Sequence, residues 1–235
     1  MTRRVSPIQA IRAKIDALFA SDRDLVEVIE DVARLGARLI NQTAEYDAWC
    51  RRDLSNVELD YLFLDASHFK MHDSSSRAEP ILAAWGITCD GKPVFAGLAA
   101  AAAESTDAWH DFLTDLVARG LKPPLLIVSD GAPGLISAAE QVFPASPRQR
   151  CLVHRARNMT SKVSAGDQAE VKADYWKIFD TSELSDDLTV GQPLVDLVQR
   201  RIDAFADTWG GRYPAAVKCL LTDRQRLYKG AHRPW

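Results

Sequence analysis

The stretch that decides the fold is Leu125-Leu126-Ile127-Val128-Ser129-Asp130-Gly131-Ala132-Pro133-Gly134. Its four leading apolar residues predict a short buried strand. Two prolines before the run, and glycine and proline after it, mark where the strand begins and ends. Asp130 is therefore predicted at the carboxyl end of a strand, where the chain turns into a helix. Open α/β sheets bind their ligands at this end of the strands.

A second run of the same form, Tyr61-Leu62-Phe63-Leu64-Asp65, lies earlier in the chain. One aspartate after a strand is most simply a helix cap or a turn residue. Two such aspartates in one sheet favour another interpretation. On neighbouring strands their carboxylates converge, and they repel each other unless a divalent cation lies between them. Asp65 and Asp130 are therefore candidate metal ligands.

Composition limits the class of protein. The chain has 235 residues, 47% of them hydrophobic and 26% charged, which is typical of a soluble domain with room for an insertion or a tail. The longest apolar run, 97–103, is too short and alanine-rich to cross a membrane. The first residues lack signal-peptide features and the four cysteines form no C-x-x-C pair, so we expect a cytoplasmic protein with reduced thiols. The net charge of −3 means that any nucleic-acid surface must be local.

The hydrophobic pattern predicts an α/β fold. The predicted elements are two amphipathic helices over 3–40, a polar junction over 41–58, strands over 61–65, 81–88 and 93–98 with a hairpin turn at Asp90-Gly91, a helix capped by Ser105 or Thr106 and stopped by Gly120, the central strand, a helix stopped by Pro144, and a short strand over 150–153. Three antiparallel strands followed by α/β units is the ribonuclease H-like arrangement, in which the first and fourth strands are adjacent. Periodicity alone supports the α/β class and leaves the topology open.

A locally basic stretch follows the central strand. No acidic residue occurs between Gln141 and Gly166. The cations inside it are Arg148, Arg150, Arg155, Arg157 and Lys162. They could form a solvated helix face, but their clustering without a single acid favours a surface that contacts phosphates.

Several spaced segments together resemble the mutator-type transposases of bacterial insertion sequences. The segments, in an order that runs from about Tyr46 to about Arg224, are Tyr61–Ala66, Glu104-Ser105 with Trp109, Val128–Leu135, and Arg148–His154 with Arg157-Asn158. The resemblance implies a ribonuclease H-like core with N-terminal helices and a helical insertion. It also implies an Asp-Asp-Glu triad that holds two divalent ions, Mg²⁺ or Mn²⁺, and catalyses DNA cleavage and strand transfer.

The resemblance assigns roles to individual residues. Asp65 and Asp130 match the two aspartates of the triad, and Cys151 and His154 match a Cys-x-x-His signature, so His154 is expected to orient the scissile phosphate or a water. The expected partners are the terminal inverted repeats of the element, target DNA and further copies of the chain, on the nucleoid in the cytoplasm. The expected domains are 1–58, a helical remnant of the DNA-binding region; 59–166, the catalytic core; 167–224, the helical insertion; and 225–235, a divergent basic tail.

The chain departs from the family pattern in two places. A segment that family members carry between residues 42 and 45 is missing, and the resemblance stops near Arg224, before the family's glutamate. We therefore expect a shortened copy that does not transpose alone. Two alternatives remain open: a non-catalytic DNA-binding fragment that interferes with full-length transposase, and another ribonuclease H-like nuclease.

Overall fold

The computed structural model describes residues 31, 43–69, 78–182, 191–222 and 224, so the predicted N-terminal helices and basic tail lie almost wholly outside the described residues. The chain divides into two compact units between Pro147 and Arg148, ahead of the boundary predicted at residue 166. The elements are α1 (Thr43–Cys50), β1 (Leu59–Phe69), β2 (Glu79–Thr88), β3 (Pro93–Ala100), α2 (Thr106–Ala118), β4 (Leu126–Ser129), α3 (Pro133–Val142), β5 (Arg148–Arg150), α4 (Leu152–Thr160), α5 (Gln168–Phe179), α6 (Gly191–Trp209) and α7 (Pro214–Leu221).

The strands form a mixed sheet in the order β3-β2-β1-β4-β5. β1, β2 and β3 pair antiparallel, and Gly91 gives the hairpin turn between β2 and β3 its positive φ of 76°. β4 pairs parallel with β1, from Tyr61 opposite Leu126 to Leu64 opposite Ser129. The structure thus confirms the predicted ribonuclease H-like arrangement, including the adjacency of the first and fourth strands.

Three predicted boundaries are wrong. β1 does not end at Asp65 but continues to Phe69, because its other edge keeps pairing with β2 after the pairing with β4 has ended. Leu125 is exposed and precedes β4. The strand predicted over 150–153 is β5, which ends at Arg150, and helix α4 begins at Leu152.

Helices α2 and α3 cover the sheet of the first unit with a shared apolar core. Trp109, Leu113 and Leu116 of α2 are fully buried there, whereas Val117 is exposed. The Ser105 side chain accepts a hydrogen bond from the Ala108 N–H at 3.1 Å and so caps the start of α2. This hydrogen bond therefore fixes the residue at which α2 begins.

Helix α1 lies within the region predicted to be a polar junction and protects the edge of the sheet. The Tyr46 hydroxyl donates to the Leu98 carbonyl at 2.9 Å, and Arg52 donates to the Ala96 carbonyl at 3.1 Å. Since β3 is the edge strand, these side chains occupy carbonyl groups that could otherwise pair with a strand of another chain.

The second unit begins with strand β5, and its helices α4 to α7 form a core of their own. The fully buried Tyr175 of α5 lies at its centre and donates a hydrogen bond to the Leu152 carbonyl of α4 at 2.8 Å. The core also contains the buried stripe of α6, namely Leu194, Val195, Val198, Ile202, Phe205 and Trp209. Among the described residues, no helix is long and apolar enough to span a membrane.

Candidate functional site

The register of the sheet brings Asp65 and Asp130 to adjacent positions. Leu64 and Ser129 form the last pair of the parallel ladder, and Asp65 and Asp130 are the next residues of the two chain segments. Neighbouring strands lie roughly 4.8 Å apart, so the two carboxylates extend from neighbouring points of the backbone. Both aspartates are half-buried. Their juxtaposition is the one that the two strand patterns predict.

The two carboxylate oxygens of Asp130 differ in their hydrogen bonding. Oδ1 accepts a hydrogen bond from the Ala132 N–H at 2.9 Å, which fixes the turn that leads into α3. Oδ2 has no hydrogen-bond partner within the described part of the chain. One oxygen therefore performs the turn role expected of a lone aspartate, while the other remains available to a ligand.

The donor set suits a hard divalent cation. Carboxylate oxygens are the ligands that Mg²⁺ prefers, and Mg²⁺ usually keeps several of its waters, so two carboxylates from one protein edge are a reasonable protein contribution. In the ranges that the structure describes, no group of three or more His, Cys, Asp or Glu side chains is placed to hold a metal ion. The described residues thus offer a two-carboxylate site rather than a complete cage.

The first turns of α2 and α3 touch. A Cβ atom on Gly134 would lie 2.9 Å from the Thr106 nitrogen and 3.1 Å from the Ser105 carbonyl carbon, so only glycine permits this approach. Glu104 directly precedes this contact, and its Oε1 accepts a hydrogen bond from the indole N–H of Trp109 at 3.3 Å. Glu104 was assigned no site role from the sequence, although Glu104-Ser105 with Trp109 is one of the segments that resemble the family.

His154 belongs to the second unit. It lies in the first turn of α4, which begins after Cys151, and both residues are half-buried. The predicted role of His154 in orienting a phosphate or a water stays a prediction.

The five predicted phosphate-binding cations differ in how far their side chains are exposed to solvent. Arg148 and Arg155 are only 6% and 3% exposed, so neither guanidinium lies at the surface, and their contact with a phosphate backbone stays a prediction. Arg155 donates hydrogen bonds to two carbonyl groups at the end of α7. The acceptors are the Cys219 carbonyl and the Thr222 carbonyl, the latter at 2.8 Å. Arg157 and Lys162 are exposed and Arg150 is half-buried, so these three are the cations that fit the predicted contact.

Comparison with known proteins gives one consistent result. A family model described as "Transposase, Mutator family" matches residues 25–229. The transposase for insertion sequence element IS6120 of Mycolicibacterium smegmatis is 27% identical over 227 residues, which cover 92% of this chain and 67% of that protein. The transposase for element IST2 of Acidithiobacillus ferrooxidans is 28% identical, with 83% and 62% covered. The transposase for element ISRM5 of Rhizobium meliloti is 32% identical, with 66% and 36% covered. The chain therefore spans between about a third and two thirds of the length of these relatives.

Proposed function

Since the chain belongs to the mutator family of transposases, we propose that it acts on the DNA of an insertion sequence by metal-dependent cleavage and strand transfer. The observation that carries the proposal is the position of Asp65 and Asp130, each one residue beyond the last pair of the parallel ladder. The relatives named above are transposases of insertion sequences, which supports the same substrate class here.

The proposed roles follow from the chemistry of the side chains. Asp65 and Asp130 hold the divalent cation, and the hydrogen bond from Ala132 fixes the Asp130 carboxylate before the cation binds. When bound, Mg²⁺ or Mn²⁺ supplies activation of the attacking oxygen and stabilisation of the leaving oxygen at phosphorus. His154, from its match to the family signature, orients the phosphate or a water.

The DNA backbone is held by the exposed cations of the second unit. Arg157 and Lys162 are exposed to solvent on and after α4, within the stretch from Gln141 to Gly166 that contains no acidic residue. Lys and Arg side chains on such a surface displace counterions from the phosphates, so this part of the affinity is expected to fall as salt rises.

Titration with Mn²⁺ in a calorimeter tests the metal site. Asp130→Asn keeps an oxygen that can accept from Ala132 but removes the charge, so we expect Mn²⁺ binding to fall below detection. The matched control is Asp111→Asn, which removes an exposed carboxylate of α2 and is expected to leave binding unchanged. Unchanged binding by Asp130→Asn would show that the cation is held elsewhere.

A second candidate function is DNA binding without cleavage. It is favoured by the exposed cations Arg157 and Lys162, which can contact phosphates without a metal site. Pre-nicked element ends incubated with the chain in Mn²⁺ distinguish the two functions. Cleavage that Asp65→Ala abolishes supports the catalytic proposal, and retention of the DNA in a complex without cleavage supports the binding function.

A further inference from the structure

We propose that Glu104 is a further carboxylate of the cation site at Asp65 and Asp130, where it accepts hydrogen bonds from the waters of the bound ion. The inference rests on the proposed function, because it assumes that a divalent cation binds at this edge of the sheet. It assigns a role to a residue that has neither a capping nor a core function in the fold.

The contact between two helix starts brings Glu104 to the same end of the sheet. The backbone of Gly134 in α3 lies against Thr106 and Ser105 at the start of α2. Glu104 is two residues before Thr106, so their Cα atoms lie within about 7 Å of each other. Asp130 is four residues before Gly134, a span of at most about 14 Å that its turn shortens further. Glu104 and Asp130 therefore both lie within a few residues of this contact between the two helix starts.

The capping of α2 does not need the Glu104 carboxylate. The Ser105 side chain already accepts the hydrogen bond from Ala108 that caps the helix. Glu104 has no ion-pair partner within the described part of the chain, and its carboxylate is bound only by the Trp109 indole, a neutral donor. Trp109 is itself fully buried, so its indole holds Oε1 in place, and Glu104 is exposed, so its carboxylate is accessible to the waters of a cation.

A role of Glu104 through the waters of the ion, rather than as a direct ligand, fits the rest of the site. No three acidic, histidine or cysteine side chains among the described residues are placed to hold an ion directly. Mg²⁺ keeps several waters when proteins bind it, and those waters need acceptors. Residues that act through a metal's surroundings typically change its affinity by about 10- to 100-fold when they are replaced.

The variant Glu104→Gln separates this role from a structural one. Glutamine retains an oxygen that can accept from the Trp109 indole, so a structural role survives, but the charge is lost. We expect its Kd for Mn²⁺, measured by calorimetry on the full chain, to rise about tenfold. The matched control is Asp107→Asn, an exposed acid in the first turn of the same helix, which we expect to change Kd less than about twofold.

A second readout uses the wild-type chain and needs no variant to fold. The Trp109 indole N–H is bound to Glu104, so substoichiometric Mn²⁺ is expected to broaden its ¹H–¹⁵N signal, and Asp130→Asn is expected to remove that broadening. An unbroadened Trp109 signal overturns the proposal. So does wild-type affinity in Glu104→Gln, or an equal loss in Asp107→Asn. If Asp130→Asn also binds normally, the proposed function fails with it; if only Glu104→Gln does, the Asp65 and Asp130 site stands.

Discussion

Replacing Arg155 by methionine is expected to destabilise the second unit by about 3 kcal/mol. Methionine keeps a long apolar side chain in this buried position, so the change removes the guanidinium with little loss of packing. The half-buried Cys219 carbonyl then loses a charged donor, at a cost of about 1–3 kcal/mol. The end of α7 also loses a cation, worth up to about 2 kcal/mol when partly buried. Thr222 is exposed, so its carbonyl regains water and adds little.

Hydrogen exchange followed by mass spectrometry on the full chain measures this loss where it occurs. A change of about 3 kcal/mol corresponds to roughly 100-fold faster exchange of the protected amides in α4 and α7. Peptides from β1 and α2 report on the first unit and serve as the internal reference. The matched control is Arg157→Met, an exposed position two residues on, for which we expect a change within about 0.5 kcal/mol. Exchange in α7 of Arg155→Met within twofold of wild type would refute the reasoning.

Three other outcomes follow from the structure. Gly134→Ala places a Cβ against the backbone of Thr106 and should cost about 1–3 kcal/mol in thermal unfolding, whereas Gly166→Ala, with nothing within 4 Å, should change little. Replacing both Arg157 and Lys162 by glutamine should weaken duplex DNA binding and lower the slope of log affinity against log salt by about 1.8; the same change at Lys92 and Lys122, which pair with Asp90 and Glu58, should leave the slope unaltered. Burial raises the pKa of Tyr175 above its ordinary value, so above about pH 10 the unfolded chain releases a proton that the folded chain keeps, and stability falls as pH rises. Tyr175→Phe should lack that alkaline loss, and should cost about 1 kcal/mol at neutral pH because Leu152 loses its donor, both measurable as urea midpoints.

The features that the sequence predicts well are set by a few neighbouring residues. The hairpin at Asp90-Gly91 needs one positive φ, and the start of α2 needs one capping oxygen, which Ser105 supplies. The end of β1 depends instead on a distant strand. Its last residues pair with β2, so a polar segment that resembles a loop is held as a strand.

Burial of the basic stretch could not be predicted from its composition. The absence of acids between Gln141 and Gly166 describes charge along the chain, not exposure. Arg155 is buried because α7, more than sixty residues later, ends against it and presents carbonyls to its guanidinium. Arg157, two residues further along the same helix, is exposed. Two chemically identical side chains on one short helix therefore lie in different environments.

The pairing of Asp65 and Asp130 is predictable for a reason that does not extend to Glu104. Parallel neighbours present their carboxyl ends at one edge of a sheet, so two apolar strands that lead into aspartates bring them together once the strands are adjacent. Glu104 follows an antiparallel edge strand, and its place is decided by how closely α2 approaches α3. That approach depends on the missing side chain of Gly134. The same glycine that lets the two helices touch therefore governs whether a third carboxylate faces the cation, and Gly134→Ala should weaken Mn²⁺ binding as well as stability.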